Sequence, residues 1–323
     1  MRSAMMEAPL GDDVFREDPS VNELEDKAAA MFGMEAGLFC SSGTMTNQIG
    51  IKVHTQPGDE VICEFSSHIY QYEGGGIAFN SGASVQLPKG NRGLLTAHQI
   101  EEAVNADDVH KPVSRLVSLE NTSNRGGGSC YDFGEIVEIK KICEDNSLAL
   151  HLDGARLFNA IVAKGESPRQ YGGTFDSISI CLSKGLGCPV GSVLLGSKAF
   201  IAKARRYRKI FGGGMRQAGM LAAAGIYALD NHVDRLSEDH QKAKWLCDAL
   251  QQHPLVSEVM PVETNIVIFH LKKAGSASEF VAKLKERNVL GYAFSKDSVR
   301  LVTHLDVSFP MIEKAIDVIN QLH

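Results

Sequence analysis

The chain predicts an α/β fold, with a large domain on a mostly parallel sheet followed by a small C-terminal α+β domain. Three observations carry that expectation. Short apolar segments suited to buried strands alternate with helical patterns as far as about residue 212, joined by short connections. Two of these strands end in residues that no core needs: Asp153 closes Leu148-Ala-Leu-His-Leu-Asp153, and Lys184 follows Ser177-Ile-Ser-Ile-Cys-Leu-Ser. Open α/β sheets hold their ligands at such carboxyl ends. Beyond residue 212 two long helical segments, Gln217–Asp230 and Val233–His253, lead to a strand–strand–helix–strand–helix set ending at His323. The boundary falls near residue 232, giving domains over 1–232 and 233–323.

The elements follow in order. Ser20-Val-Asn-Glu23 reads as a capping box, and Val21, Leu24, Ala28 and Met31 continue one helical face that Gly33 closes. A short strand, Ala36 to Cys40, runs into the small-residue loop Ser41-Ser-Gly-Thr44 and a second helix. Further strands are expected at Glu60–Phe65, Ser84–Leu87, Arg115–Glu120, Leu148–Asp153, Ser177–Leu182 and Ser192–Leu195, with helices at Thr96–Val104 and Phe133–Glu144. No internal repeat, low-complexity stretch or long linker interrupts them.

Composition narrows the function classes. With 323 residues, 44% of them hydrophobic, the chain can build one large core and a smaller second one. A net charge of −6 with dispersed basic residues argues against nucleic acid or an acidic membrane surface as partner. The densest basic cluster, Lys203-Ala-Arg-Arg-Tyr-Arg-Lys209, reads by itself as a solvated helix face. Seven cysteines, several inside apolar runs (Cys63, Cys143, Cys181), show no metal-ligand spacing. No metal site is expected. No leader-like segment and no membrane-length apolar run is recognised, so a cytoplasmic protein is expected.

Lys184 is the most informative residue. Lysine forms a Schiff base with pyridoxal phosphate, and such sites pair it with an acid on the pyridinium nitrogen; Asp153 supplies a matching acid. An isolated strand-end lysine is ordinarily solvated or ion-paired, but two functional strand ends in this order point to the cofactor. Ser42, Gly43 and Thr44 open a helix whose first N–H groups make a phosphate site, although the same residues are common cap chemistry. His68 follows another strand end and suits ring stacking or proton transfer. His151 reads as a core histidine, and His304 is undecided. Arg156 and Arg300 are candidate carboxylate ligands, because a guanidinium binds a carboxylate through two parallel hydrogen bonds.

Several segments together resemble a known family. Gly11-Asp-Asp-Val14, Ser42-Gly-Thr-Met-Thr-Asn47, His68-Ile-Tyr, Leu119-Glu-Asn-Thr122, His151-Leu-Asp-Gly-Ala-Arg156, Cys181-Leu-Ser-Lys-Gly-Leu-Gly187, Gly212-Gly-Gly-Met-Arg-Gln217 and Arg300-Leu-Val-Thr-His304 resemble, in order and across the whole chain, the low-specificity L-threonine aldolases. These belong to the β-eliminating lyases of the fold-type I pyridoxal-phosphate enzymes. The resemblance implies a seven-stranded, mostly parallel sheet, with Lys184 as the Schiff-base lysine and Asp153 as the pyridinium partner. It implies His68 stacked on the cofactor ring and Gly43 and Thr44 on the phosphate. Arg156 would hold the cofactor's phenolic oxygen or the substrate carboxylate, and Arg300 the carboxylate. Ser123 and Tyr72 would line the substrate side. It further implies a homotetramer built from dimers, in which Lys209 and Arg216 reach the neighbouring subunit's cofactor.

The expected activity is cleavage of L-threonine and L-allo-threonine to glycine and acetaldehyde. Two departures qualify it. Where the family has Glu-Asn-Thr-His-Asn, this chain has Glu120-Asn-Thr-Ser123-Asn124, so the β-hydroxyl proton is expected to leave through His68, directly or by way of a water. The family's preceding strand is also missing, and Arg2-Ser-Ala-Met-Met-Glu-Ala-Pro9 has helical composition instead, which suggests a shortened start. The alternatives are a lyase of the same fold eliminating β-substituents, a racemase or aminotransferase, and a non-enzymatic carrier of the cofactor.

Overall fold

The computed structural model describes residues 1–322. The chain divides into two compact units, one of residues 1–126 and 130–233, the other of 127–129 and 234–323.

In the first unit the opening residues form a short helix, α1 (Arg2–Met6), and a 3-10 turn at Asp13–Phe15. Then come α2 (Pro19–Phe32), β1 (Ala36–Cys40), α3 (Gly43–His54), β2 (Asp59–Cys63), α4 (His68–Gln71) and β3 (Ser84–Gln86). These lead to α5 (Ala97–Ala103), β4 (Val113–Glu120), α6 (Phe133–Asp145), β5 (Ala149–Gly154), α7 (Leu157–Lys164) and α8 (Pro168–Thr174). The unit closes with β6 (Ser177–Cys181), β7 (Ser192–Gly196), α9 (Lys198–Ile210) and α10 (Gly219–Asn231).

Helix α2 corrects one sequence expectation. Its cap is Asp18, whose Oδ1 accepts from Val21 N–H at 3.1 Å, with Pro19 in the first turn. Ser20 is not the cap; it lies inside the helix and donates to the Pro9 carbonyl. Gly33 ends the helix as anticipated, in the left-handed conformation at φ 69°.

The seven strands order as β1-β7-β6-β5-β4-β2-β3. From β3 to β6 every pairing is parallel, whereas β7 runs antiparallel to both neighbours. The reversal follows from the connection: residues 182–191 hold no helix to carry the chain back across the sheet, as a parallel crossover requires. The loop bearing Lys184 is therefore a hairpin-type return. The central strands β2, β6 and β7 are buried throughout; β7 is apolar along most of its length, whereas β6 alternates serine with isoleucine and β2 opens on two acidic residues.

In the second unit, α11 (Leu236–Gln251), α12 (Ala277–Glu286) and α13 (Phe309–Asn320) accompany a four-stranded antiparallel sheet. Its order is β10 (Tyr292–Ala293), β11 (Ser298–Val302), β9 (Ile266–Leu271), β8 (Val256–Val259). Val267, Phe269, Phe280, Leu284 and Leu301 centre its core. Residues 127–129 belong to this unit although they are distant in sequence: Thr264 Oγ1 donates to the Gly128 carbonyl at 2.9 Å.

Candidate active site

Strands place their side chains alternately on two faces, and register decides which residues become neighbours. At the carboxyl end of the sheet Glu120, Asp153 and Ser179 pair across β4, β5 and β6. Two residues earlier, Ser118, His151 and Ser177 form a second row on the same face. Helix α3 packs on these rows. Thr46 Oγ1 lies 2.6 Å from Ser179 Oγ, and Asn47 Oδ1 lies 3.3 Å from His151 Nε2.

Asp153 is buried. Its Oδ1 accepts from Ala155 N–H at 3.1 Å, while Oδ2 is buried with no hydrogen-bond partner. Burial raises its carboxyl above the ordinary range, and the positive charge of Lys184 opposes that shift. A cation seated against Oδ2 would remove the remaining cost. Lys184 is half-buried just beyond β6, in a turn where its carbonyl accepts from Gly187 N–H at 2.9 Å. Gly187 sits at φ 73°, a conformation that glycine alone adopts cheaply, so the turn depends on it.

His68 opens α4. Its backbone N–H donates to Glu120 Oε2 at 2.7 Å, and its Nδ1 lies 3.0 Å from Glu73 Oε1. The ring centre is 5.7 Å from that of Tyr72. The hydrogen bond to Glu73 raises the imidazole above its usual range, against the effect of burial. Glu120 is pushed up to about 7 by burial and by the Asp153 charge, and the N–H groups of Asn124 and His68 hold it down. A ring nitrogen of His68 and carboxylate oxygens of Glu73 and Asp153 lie within 4.8 Å of one another.

At the start of α3, Ser42 Oγ accepts from Met45 N–H at 3.2 Å. The preceding N–H groups, of Gly43 and Thr44, face out of the helix end, where an anion is favoured. Arg156 begins α7 and donates to Asn124 Oδ1 at 3.3 Å. Ser123 is buried, its Oγ accepting from Gly126 N–H at 3.2 Å.

Lys184, Asp153 and His68 are thus gathered at one end of the sheet. Lys209 and Arg216 are both exposed and share Asp12, to which Arg216 Nη1 donates at 2.6 Å. Arg300 stands on β11 of the second unit, its guanidinium 5.9 Å from the ring centre of Phe294. His151 is a fully buried core residue, as read from the sequence, and burial lowers it to about 3. His304 lies on a loop of the second unit, its Nδ1 accepting from Asp306 N–H at 3.3 Å.

Sequence reasoning missed Glu73. The available signal was an acid five residues after His68, followed at once by Gly74-Gly75-Gly76. A buried carboxylate that accepts from three side chains belongs to the site, and only the approach of α3 makes that visible.

The residues fit pyridoxal phosphate. A buried carboxylate oxygen lacks a cationic partner, a lysine lies near it, and the open start of the 12-residue helix α3 offers N–H groups to a phosphate. Comparison with known proteins points the same way. The Beta-eliminating lyase family model matches residues 1–274. The low specificity L-threonine aldolase of Escherichia coli K12 is 43% identical over 311 residues, covering 95% of this chain and 90% of that protein. The low-specificity L-threonine aldolase 1 of Arabidopsis thaliana is 39% identical, covering 95% and 88%. Among solved structures, the threonine aldolase of Leishmania major superposes with a TM-score of 0.83 at 22% identity, covering 94% and 90%. At that identity the likeness concerns the fold.

Proposed function

Since the chain belongs to the β-eliminating lyases, a family of pyridoxal-phosphate enzymes, we propose that it cleaves L-threonine and L-allo-threonine to glycine and acetaldehyde. The observation that carries the reading is the unpartnered, buried Asp153 Oδ2 near Lys184 at adjoining strand ends. The names of the E. coli and A. thaliana relatives support the substrate.

Bound pyridoxal phosphate supplies an electron sink for the pair released when a bond to the substrate Cα breaks. The chain's residues take the remaining roles. Lys184 would anchor the cofactor covalently through its Nζ. Asp153 holds the proton on the pyridinium nitrogen, which keeps the sink strong. Ser42, Gly43 and Thr44 hold the phosphate, and His68 packs on the ring. Arg156 and Arg300 clamp the carboxylate, while Ser123 and Tyr72 line the β-substituent side. Clamping orients the Cα–Cβ bond for cleavage in preference to Cα–H. His68 takes the β-hydroxyl proton, directly or through a water. The Cα–Cβ pair is left on Cα, which takes up a proton in place of the one lost from the β-hydroxyl to give glycine, and Cβ leaves as the carbonyl carbon of acetaldehyde.

We further propose a cytoplasmic homotetramer in which Lys209 and Arg216 serve the neighbouring subunit's cofactor. Seven free, buried thiols suit a reducing compartment. Phe15 and Ile210, 67% and 72% exposed near the two basic residues, suit a covered surface.

The test is to add pyridoxal phosphate to the purified protein, follow the visible absorbance band of the lysine-bound cofactor, and assay products from L-threonine. Glycine with acetaldehyde is expected. Ammonia with an oxo acid would replace this reading by β-elimination.

A further inference from the structure

Glu73 is the centre of a buried polar chain that the proposed reaction does not by itself require. Its Oε1 accepts from Asn47 Nδ2 at 3.0 Å, and its Oε2 accepts from Gln48 Nε2 at 2.6 Å. A carboxylate only accepts, so both amides must present their nitrogen to it. That turns Asn47 Oδ1 toward His151 Nε2, 3.3 Å away, and leaves Gln48 Oε1 to accept from Asn80 Nδ2 at 3.1 Å.

The orientation of Asn47 then dictates every proton behind it. His151 must carry its proton on Nε2 to donate to Asn47 Oδ1. Its bare Nδ1 accepts from Ser177 Oγ at 2.8 Å, and Ser177 Oγ in turn accepts from His54 Nε2, also at 2.8 Å. Burial keeps both histidines neutral, His151 at about 3 and His54 at about 4, so neither has a second proton to reverse the chain. His54 is held in place by stacking on Phe200, ring centres 4.7 Å apart. All the dipoles from His54 through Ser177, His151 and Asn47 point the same way and end on Glu73.

We propose that Glu73 is the positioning residue for His68: its carboxylate, held by the Asn47 and Gln48 amides, fixes the His68 proton on Nδ1 and leaves Nε2 bare, and the His54–Ser177–His151 chain fixes the Asn47 amide. A histidine serving as a base needs one nitrogen oriented by a partner and the other free to take the proton. The other groups facing His68 are Asp153 from β5, Lys184 beyond β6, Glu120 from the end of β4, and the Tyr72 ring. Of these, Glu73 alone binds the imidazole through a side-chain hydrogen bond.

This inference rests on His68 being the proton route, and the experiment separates the two. His68→Asn in the cofactor-loaded enzyme with turnover near wild type would overturn the proton route itself. With His68 upheld, Glu73→Gln is expected to lower kcat about a hundredfold with KM little changed. It should also move the acid limb of the kcat–pH profile down by about one unit, the usual effect of removing a neighbouring opposite charge. Glu73→Asp, which keeps the charge, should return the limb toward wild type. An unmoved limb in Glu73→Gln, with loss only of thermal stability, would show a purely structural role and overturn the proposal. A second measurement needs no Glu73 variant to fold. In wild-type holoenzyme labelled with 15N-histidine, the His68 signal, assigned by its loss in His68→Asn, should show the proton on Nδ1. His151 should show it on Nε2. A His68 proton on Nε2 would overturn the proposal.

Discussion

Asp153 is asked to be buried and charged at once, which is costly without a cation against it. Its unpartnered Oδ2 marks where that cation belongs. Asp153→Asn keeps the shape and removes the charge, so cofactor binding should weaken and turnover should fall by orders of magnitude; titration of the visible band and steady-state rates measure both. Lys184→Ala should abolish the band and cost several orders of magnitude in rate, because covalent catalysis goes with it. Near-wild-type activity in that variant would exclude Lys184 as the anchor. Ser123 presents a neutral hydroxyl already engaged with Gly126 N–H. One neutral hydrogen bond is worth about 0.5–1.5 kcal/mol, so discrimination between L-threonine and L-allo-threonine should be weak. A ratio of kcat/KM values above about a hundredfold, or roughly 2.7 kcal/mol, would mean that another group reads the β-carbon.

Helix α3 serves the site from both ends, with its N-terminus open to an anion and its body carrying Asn47 and Gln48 to Glu73. Such close packing on β5 needs Gly50. A Cβ there would meet His151 Cε1 at 3.0 Å, and the ring is clamped between Ser177 and Asn47 and has no room to yield. Gly50→Ala gains about 1 kcal/mol in helix propensity but forces overpacking that costs about 1–3 kcal/mol. Net destabilisation, read by urea unfolding, is expected, together with a disturbed His151 15N signal. At α2 the true cap can be tested against the sequence-suggested one. Asp18 accepts from Val21 N–H and also from Gly219 N–H at 2.8 Å, so it ties α2 to the start of α10. Asp18→Ala should cost roughly 2–4 kcal/mol, a lost cap plus a stranded buried donor, and clearly more than Ser20→Ala.

Across the whole molecule, the buried histidines make stability depend on pH. His151 takes a proton at about 3 in the folded chain and near 6.5 when exposed. The unfolded state therefore binds the proton first as pH falls. The contribution is intact above about pH 6.5 and drains away toward pH 3, at about 1.4 kcal/mol per unit between the two values. His151→Gln should flatten this acid dependence relative to wild type, measured as urea midpoints at pH 7.5 and pH 5. If Lys209 and Arg216 serve a neighbouring subunit, Arg216→Glu should reduce both cofactor affinity and the mass seen by light scattering. An unchanged mass and affinity would confine Arg216 to its pair with Asp12.

Asp153 and Lys184 were legible because a strand end is a local feature: an apolar run of five or six residues, then a polar side chain with no core to enter. The alternation of runs and helical patterns likewise determined an α/β sheet, since each element's periodicity lies within its own residues. The pairing of β7 with β1, the cap of α2 and the role of Glu73 were decided only in three dimensions. Each depends on a partner far along the chain: β1 for the strand, Gly219 for the cap, and Asn47 with Gln48 for the carboxylate. A hydrogen bond of 3 Å carries no mark of the 25 or 200 residues that separate its ends. Local pattern therefore determined where the reactive groups stand, and tertiary packing decided which neighbours set their protons.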